Sequence, residues 1–252
     1  MTVIRGVIFD FGSTLIRFGG DWDDVLTRGR TEMALWLRRA GVPVEVEAFG
    51  QTVQRAFQAN FRERALDHRE RTSRQILRQA LNEVGLPTVS DEHVRGALRA
   101  LYAPSEAAWS PIPGAHEAVA ALHERGLRLG LLSNASDVEN VERLLVSARL
   151  PDVFEPVVIS AAAGVRKPTP SLFEGILRQW WIEPQYAVMV GDVLGEDILG
   201  AQRAGLHQIW VRGYADAAFN ADLVGKVVPE WTVETVGDVP ALLLPLAADP
   251  VG

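Results

Sequence analysis

Ala187-Val-Met-Val-Gly-Asp-Val-Leu-Gly-Glu-Asp-Ile-Leu-Gly-Ala-Gln-Arg-Ala-Gly-Leu-His-Gln-Ile-Trp-Val211 is the stretch whose texture decides the fold. An unbroken apolar run, Ala187 to Val190, stops abruptly at Gly191 and Asp192 and reads as a strand. Asp197 to Ala204 carries apolar side chains at helical spacing, and Gly205 stands where a helix C-cap belongs. Gln208 to Val211 then returns to a short strand-like run. Strand, helix and strand in succession make a βαβ unit, whose right-handed crossover leaves its two strands parallel.

The same alternation continues upstream. Ala115 to Arg125, Val138 to Arg149 and Pro170 to Trp180 read as helices, and Leu127 to Leu132 and Val157 to Ile159 as strands. Gly126 sits at a C-cap, and Thr169-Pro170 supplies an N-cap followed by proline at the first helical position. Residues 3 to 10 form a further strand ending at Asp10. Strands alternating with helices predict a doubly wound parallel α/β sheet covered on both faces.

Between the first strand and the rest lies a different texture. Trp22, Val25, Leu26, Met33, Trp36 and Leu37 recur at spacings of three and four, the stripe of an amphipathic helix. Ala48 to Leu66, Thr72 to Val84, and Asp91 to Tyr102 with Ser90 as its cap follow in the same period. Phe18-Gly-Gly-Asp and Ser110-Pro-Ile-Pro-Gly-Ala, rich in residues that break helices, flank this insert. The expected division is a core of residues 1–17 and 108–252 and an all-helical domain of residues 18–107.

Composition narrows the partners. The 252 residues carry no cysteine, which removes disulfides, thiolate zinc sites and thiol nucleophiles and suits an intracellular compartment. The N-terminal stretch lacks the charged head and cleavage site of a signal peptide, and charges or Pro/Gly interrupt each apolar run short of membrane-spanning length. A cytoplasmic protein without a membrane partner is expected. A net charge of -7 and a pI near 5.3 argue against a nucleic-acid binder and leave small molecules as partners.

In a parallel sheet, ligands bind beyond the carboxyl ends of the strands. There the sequence places Asp10, then Ser133 and Asn134, then Lys167, then Asp192 with Asp197 five residues on. Lys167 is one of only two lysines, with Lys226, in a chain that otherwise uses arginine, so a compact point charge stands at this position.

The runs Phe-Asp10-Phe-Gly-Ser-Thr14-Leu, Leu-Leu-Ser133-Asn134, Arg-Lys167-Pro and Gly191-Asp192-Val-Leu-Gly-Glu196-Asp197 closely resemble the four motifs of the haloacid dehalogenase-like superfamily. The resemblance covers nearly the whole chain. It implies a Rossmann-like core, with the helical insert as a cap that closes over the site. Asp10 is by that resemblance the nucleophile, attacking phosphorus to give an aspartyl-phosphate that water hydrolyses. Mg2+ is the implied cofactor, held by Asp10, Asp192, the Gly12 carbonyl and Asp197. Ser133, Asn134 and Lys167 are implied to bind the phosphoryl oxygens, with Lys167 also pairing with Asp10.

One position departs from the pattern. Phosphatases of the superfamily carry a second aspartate two residues after the nucleophile as general acid and base, and here that residue is Gly12. Such catalysis contributes roughly 10^2 to 10^4 in rate. Three readings stay open: a phosphatase of small phosphorylated metabolites that uses good leaving groups or borrows an acid from Asp21, Asp23 or Asp24; a 2-haloacid dehalogenase; or a weakly active or non-catalytic binding protein. The dehalogenases tend to carry an aromatic residue at the Gly12 position and a Ser-Asn type fourth motif, so both departures count against the second reading.

Arg62, Arg64, Arg69, Arg71, Arg74 and Arg78 offer either a handle for an anionic substrate or a solvated helix face. Trp180 and Trp181 read as packing residues, the histidines show no metal-ligand spacing, and monomer and homodimer are both compatible with the chain.

Overall fold

The computed structural model describes residues 3–247. The chain divides into two units, one of residues up to Phe18, Ser110–Asn134 and Val146 onward, the other of Gly19–Trp109 and Ala135–Leu145.

The strands are β1 (Gly6–Phe9), β2 (Ile16–Phe18), β3 (Trp109–Pro111), β4 (Arg128–Ser133), β5 (Phe154–Ile159), β6 (Ala187–Gly191), β7 (His207–Val211) and β8 (Trp231–Val233), all but Trp109 of β3 lying in the first unit. Six of these form a parallel sheet in the order β5-β4-β1-β6-β7-β8, while β2 and β3 pair separately. β1 is central, with Phe9 in register with Leu131 of β4 and Val190 of β6. The chain runs outward from β1 through β4 to β5, then returns to β6 on the other side. That reversal makes the carboxyl ends of β1, β4 and β6 the switch point of the sheet.

Val7, Ile8, Phe9, Leu131, Val188, Met189 and Val190 are all but fully buried, as continuous apolar runs covered by helices on both faces should be. Trp180, at the end of the helix Pro170–Trp180, is buried against the sheet where Gly6 and Gly130 stand; a Cβ on either glycine would come 2.7 or 2.8 Å from its ring. Its indole Nε1 donates to the Glu155 carbonyl at 2.5 Å. Trp181, in the left-handed conformation that ends this helix, is 93% exposed. The pair therefore divides: Trp180 is core and Trp181 is surface.

The second unit holds the helices Trp22–Arg39, Val46–Asp67, Ser73–Glu83 and Asp91–Glu106, each with a side-chain cap. Asp21 accepts from Asp24 N at 2.9 Å, Thr72 and Gln75 form a reciprocal capping box, and Ser90 accepts from His93 N at 3.2 Å. Met33, Leu37, Phe49, Val53, Leu77, Leu81 and Val94 make its core. The first and last of these helices pack closely because Gly29 faces the Leu101 carbonyl and Gly96 faces the Trp36 ring, with no room at either for a Cβ.

Two local expectations need correction, and one open reading is narrowed. Ala135–Leu145, read with the core from its sequence position, groups with the helical unit: Ser73 N donates to Ser136 O (2.7 Å), and Asn140 Nδ2 and Arg143 Nε donate to Glu106 Oε1 (2.7 and 2.9 Å). Thr169 precedes Pro170 as expected, but its hydroxyl makes no capping bond; its carbonyl accepts from Leu172 N at 3.3 Å instead. The arginine set is largely tied up locally, Arg71 with Asp67 at 2.8 Å and Arg74 and Arg78 with Asp91 at 3.7 and 2.5 Å. Among the described residues, no helix is long and apolar enough to cross a membrane.

Candidate active site

Asp10 follows β1 directly, its backbone N–H donating to Val190 O at 2.9 Å, so the strand pairing itself fixes where its carboxylate starts. Asp192 follows β6, and Lys167 arrives from the loop after β5. The Lys167 ammonium lies 2.5 Å from Asp10 Oδ1, 2.6 Å from Asp197 Oδ1 and 2.9 Å from the Leu132 carbonyl. Hydrogen bonds run from it to Asp10 and the Leu132 carbonyl, while Asp197 Oδ1 takes the ion-pair contact alone. Lys167 is 1% exposed and Asp197 fully buried. One carboxylate oxygen each from Asp10, Asp192 and Asp197 lie within 4.8 Å of one another.

The segment after Asp192 explains how Asp197 comes back to the strand end. Asp197 N donates to Val193 O at 2.8 Å, and Leu199 N–H reaches Leu194 O in a wide i→i+5 turn before the helix Leu199–Ala204. Wide turns of this kind recur at functional sites. The turn folds the Asp197 side chain back so that Oδ2 accepts from Val193 N at 2.9 Å. It also packs the carboxylate against Gly191, where a Cβ would collide with it.

Three carboxylates face one ammonium. Burial, then Asp10 and Asp197, push the Asp192 carboxyl well above the usual range. Burial likewise pushes Asp197 up to about 7, against the pull of Lys167. Burial also acts to lower the Lys167 ammonium, but Asp10 and Asp197 outweigh it and hold it above the ordinary lysine value. Lys167 reaches Asp10 and Asp197, whereas Asp192 has the Thr14 hydroxyl, 3.4 Å away, donating to it. Oxygen donors with an excess of negative charge around Asp192 suit a hard divalent cation.

The sign of these shifts sets a pH dependence. A carboxylate whose folded value is raised contributes stability that is complete below its ordinary value near 3.8 and is lost as pH rises toward about 7 for Asp197. A divalent cation held among these carboxylates would reverse that loss. Excess Mg2+ is therefore expected to raise the melting temperature more at about pH 8 than at about pH 5. Equal increments in paired thermal melts would contradict the charge account.

The structure gives Asn134 a task that its position in the sequence did not disclose. Its Oδ1 accepts from Lys167 N at 2.8 Å, and its Nδ2 donates to Lys167 O at 3.2 Å and to Glu196 Oε2 at 2.8 Å. Arg166 donates to the other Glu196 oxygen at 2.8 Å. The Asn134 amide, expected to bind phosphoryl oxygens, thus grips the lysine's backbone, while Ser133 ends β4 one residue before it. Asn134→Ala is expected to lower kcat by about tenfold or more and to change KM less than about threefold, since a misplaced catalytic group acts on rate. A large rise in KM with kcat preserved would restore the phosphate-contact role.

Gly12 is half-buried in the turn that follows Asp10, where Ser13 N donates to Ile16 O at 2.6 Å and Ile16 N to Phe11 O at 3.1 Å. Asp21, Asp23 and Asp24 belong to the helical unit, where Asp21 caps a helix and Asp24 pairs with Arg28 at 3.3 Å.

Strand order, the carboxylates at the switch point and the buried lysine beside them define a doubly wound α/β fold with an acidic cluster at its topological reversal. The chain belongs to the haloacid dehalogenase-like hydrolase family, whose model matches residues 4–205. It is 38% identical over 101 residues to a glyceraldehyde 3-phosphate phosphatase of Pyrococcus abyssi, a match spanning 40% of this chain and 42% of that protein. The chain thus spans about two fifths of the length of these relatives. A phosphoserine phosphatase of Thermus thermophilus is 33% identical over 192 residues, covering 75% of this chain and 67% of the relative. Among solved structures, a 2-haloacid dehalogenase from Pseudomonas syringae pv. Tomato superposes with a TM-score of 0.67 at 23% identity, covering 96% and 99% of the two chains. A phosphatase of the same superfamily from Thermococcus onnurineus gives 0.61 at 19% identity, covering 95% of this chain and 98% of that one. At such identities these superpositions speak for the fold.

Proposed function

We propose that the protein is a Mg2+-dependent phosphatase acting on a phosphate monoester of a small metabolite in the cytoplasm. The observation that carries this reading is the gathering of Asp10, Asp192 and Asp197 within 4.8 Å of one another, with Lys167 paired to Asp10 and Asp197 and negative charge left over at Asp192. A haloalkanoate brings no metal and no need for that excess, whereas a metal-bound phosphate does. The phosphatase names of the relatives from Pyrococcus abyssi and Thermus thermophilus favour the same side.

Asp10, Asp192 and the Gly12 carbonyl would hold the ion, with Asp197 beside them, although its oxygens already serve Lys167 and Val193 N–H. Bound there, Mg2+ would neutralise phosphate charge and let carboxylates approach an anion. Lys167 keeps one Asp10 oxygen occupied and leaves the other to attack phosphorus. The new bond forms between that oxygen and phosphorus as the bond to the leaving oxygen breaks. Water then attacks the phosphoryl group, releasing inorganic phosphate and restoring the Asp10 carboxylate. Ser133 and Lys167 are the phosphate contacts in this reading.

With Gly12 in place of an acid, the leaving oxygen must depart with little help. Aryl phosphates are therefore expected to turn over roughly 10^2 to 10^4 faster than alkyl phosphates. If the Asp21, Asp23 and Asp24 group supplies the proton, replacing all three by Asn should slow only the alkyl substrates; unchanged rates would discard that source. The function itself is tested by assaying p-nitrophenyl phosphate with Mg2+ and with chelator, beside halide release from 2-chloropropionate. Metal-dependent phosphate release supports the reading, and halide release without phosphate release overturns it.

A further inference from the structure

The backbone that carries Asp192 is held by residues beyond the stretch matched by the family model. Asn220 is 2% exposed and closes the short helix Ala217–Asn220. Its Nδ2 donates to the Asp192 carbonyl at 3.0 Å and to the Asp216 carbonyl at 3.1 Å, and its Oδ1 accepts from Leu194 N at 2.7 Å. The Trp210 indole Nε1 donates to the same Asp192 carbonyl at 2.9 Å. The two peptide planes on either side of Val193 are therefore both pinned, one by two donors on its oxygen and one by an acceptor on its N–H.

Leu194, Ile198 and Val227 pack beneath this arrangement with Leu199, Trp210 and Leu223. The packing seats the segment Ala217–Val227 on the turn that follows Asp192. The strand β6 fixes where Asp192 begins; its own backbone angles decide where the carboxylate points, and those angles are what the clamp holds. Both Asn220 and Trp210 act through the main chain and lie one bond network away from the carboxylate, the place where supporting residues orient ligands.

We propose that Asn220 and Trp210 are positioning residues that set the affinity of the Asp192 site for its divalent cation. The proposal rests on the reading that this site takes Mg2+. Its consequence is that cation affinity depends on a segment, residues 206–227, that lies outside the family-model match of residues 4–205.

The test is calorimetric titration of the whole folded protein with Mg2+ alone, well below its melting temperature, so that binding is read without turnover. Asn220→Ala removes both sides of the clamp and is expected to weaken binding by about 10- to 100-fold. Trp210→Phe keeps the ring and removes one donor, and should weaken it severalfold. The two together should lose more than the product of the single losses, because each donor alone still restrains the carbonyl they share. Val227→Ala loosens the packing beneath the clamp while keeping both of its donors, and should lose clearly less affinity than Asn220→Ala even though it melts lower. Parent-like affinity in both clamp variants would overturn the proposal, as would an equal loss in Val227→Ala, which would reduce the effect to general loosening. Absence of Mg2+ binding in the parent protein would overturn the metal reading, and the proposal with it.

Discussion

Asp10→Asn is expected to reduce hydrolysis of p-nitrophenyl phosphate by at least about 10^4-fold while leaving the protein folded. The amide has the shape of the carboxylate but not its nucleophilic oxygen, and Asn cannot form the acyl phosphate. Stability should move the other way. Asp10 is one of the two neighbouring carboxylates that, after burial, raise Asp192, so removing its charge relieves repulsion inside the cluster. Lys167 keeps Asp197 at 2.6 Å and the Leu132 carbonyl at 2.9 Å, so the ammonium is not stranded. In chelator at about pH 8, the variant should therefore melt no lower than the parent, and Mg2+ should stabilise it less. A variant that hydrolyses the ester at a rate near that of the parent would remove Asp10 from the chemistry. One that loses both activity and fold would contradict the stability half of the account.

Lys167→Met should show the largest loss of stability of any single change at the site. Methionine fills a similar volume, so packing is nearly conserved and the charge is what goes. The ammonium is 1% exposed and paired with two carboxylates, and removing one partner of a buried pair costs about 3 to 5 kcal/mol. For a chain of this size that lowers the melting temperature by on the order of 10 °C. The loss should shrink on acidification, because Asp197, already raised to about 7 with Lys167 pulling it down, can take a proton. Melting within about 2 °C of the parent at neutral pH would mean that the buried acids do not depend on this lysine.

The strand ends were legible because their chemistry is coded by position: an apolar run has to stop, and what stands after it faces the switch point. Asp10, Lys167, Asp192 and Asp197 were all readable in that way, and the structure brings their side chains together. The long helices were legible from period and caps, as at Ser90 and His93. The three-residue strands β2, β3 and β8 were not, since so short a run shows no period. Nor was the grouping of Ala135–Leu145 with the helical unit, which depends on tertiary bonds to Ser73 and Glu106. Asn134, Thr14, Glu196, Trp210 and Asn220 act through backbone or neighbouring side chains 4 to 178 residues away, and no local pattern encodes such partners. A faint signal existed for Glu196 and Arg166: each is a charged residue adjoining a buried charge, Asp197 and Lys167.

The most direct measurement is to quench the protein in acid during turnover of p-nitrophenyl phosphate with Mg2+ and to map its peptides by mass. The account predicts one phosphoryl group on the peptide that carries Asp10, absent with chelator and absent in Asp10→Asn. A phosphoryl group on any other residue, or steady turnover that persists in Asp10→Asn, would contradict it.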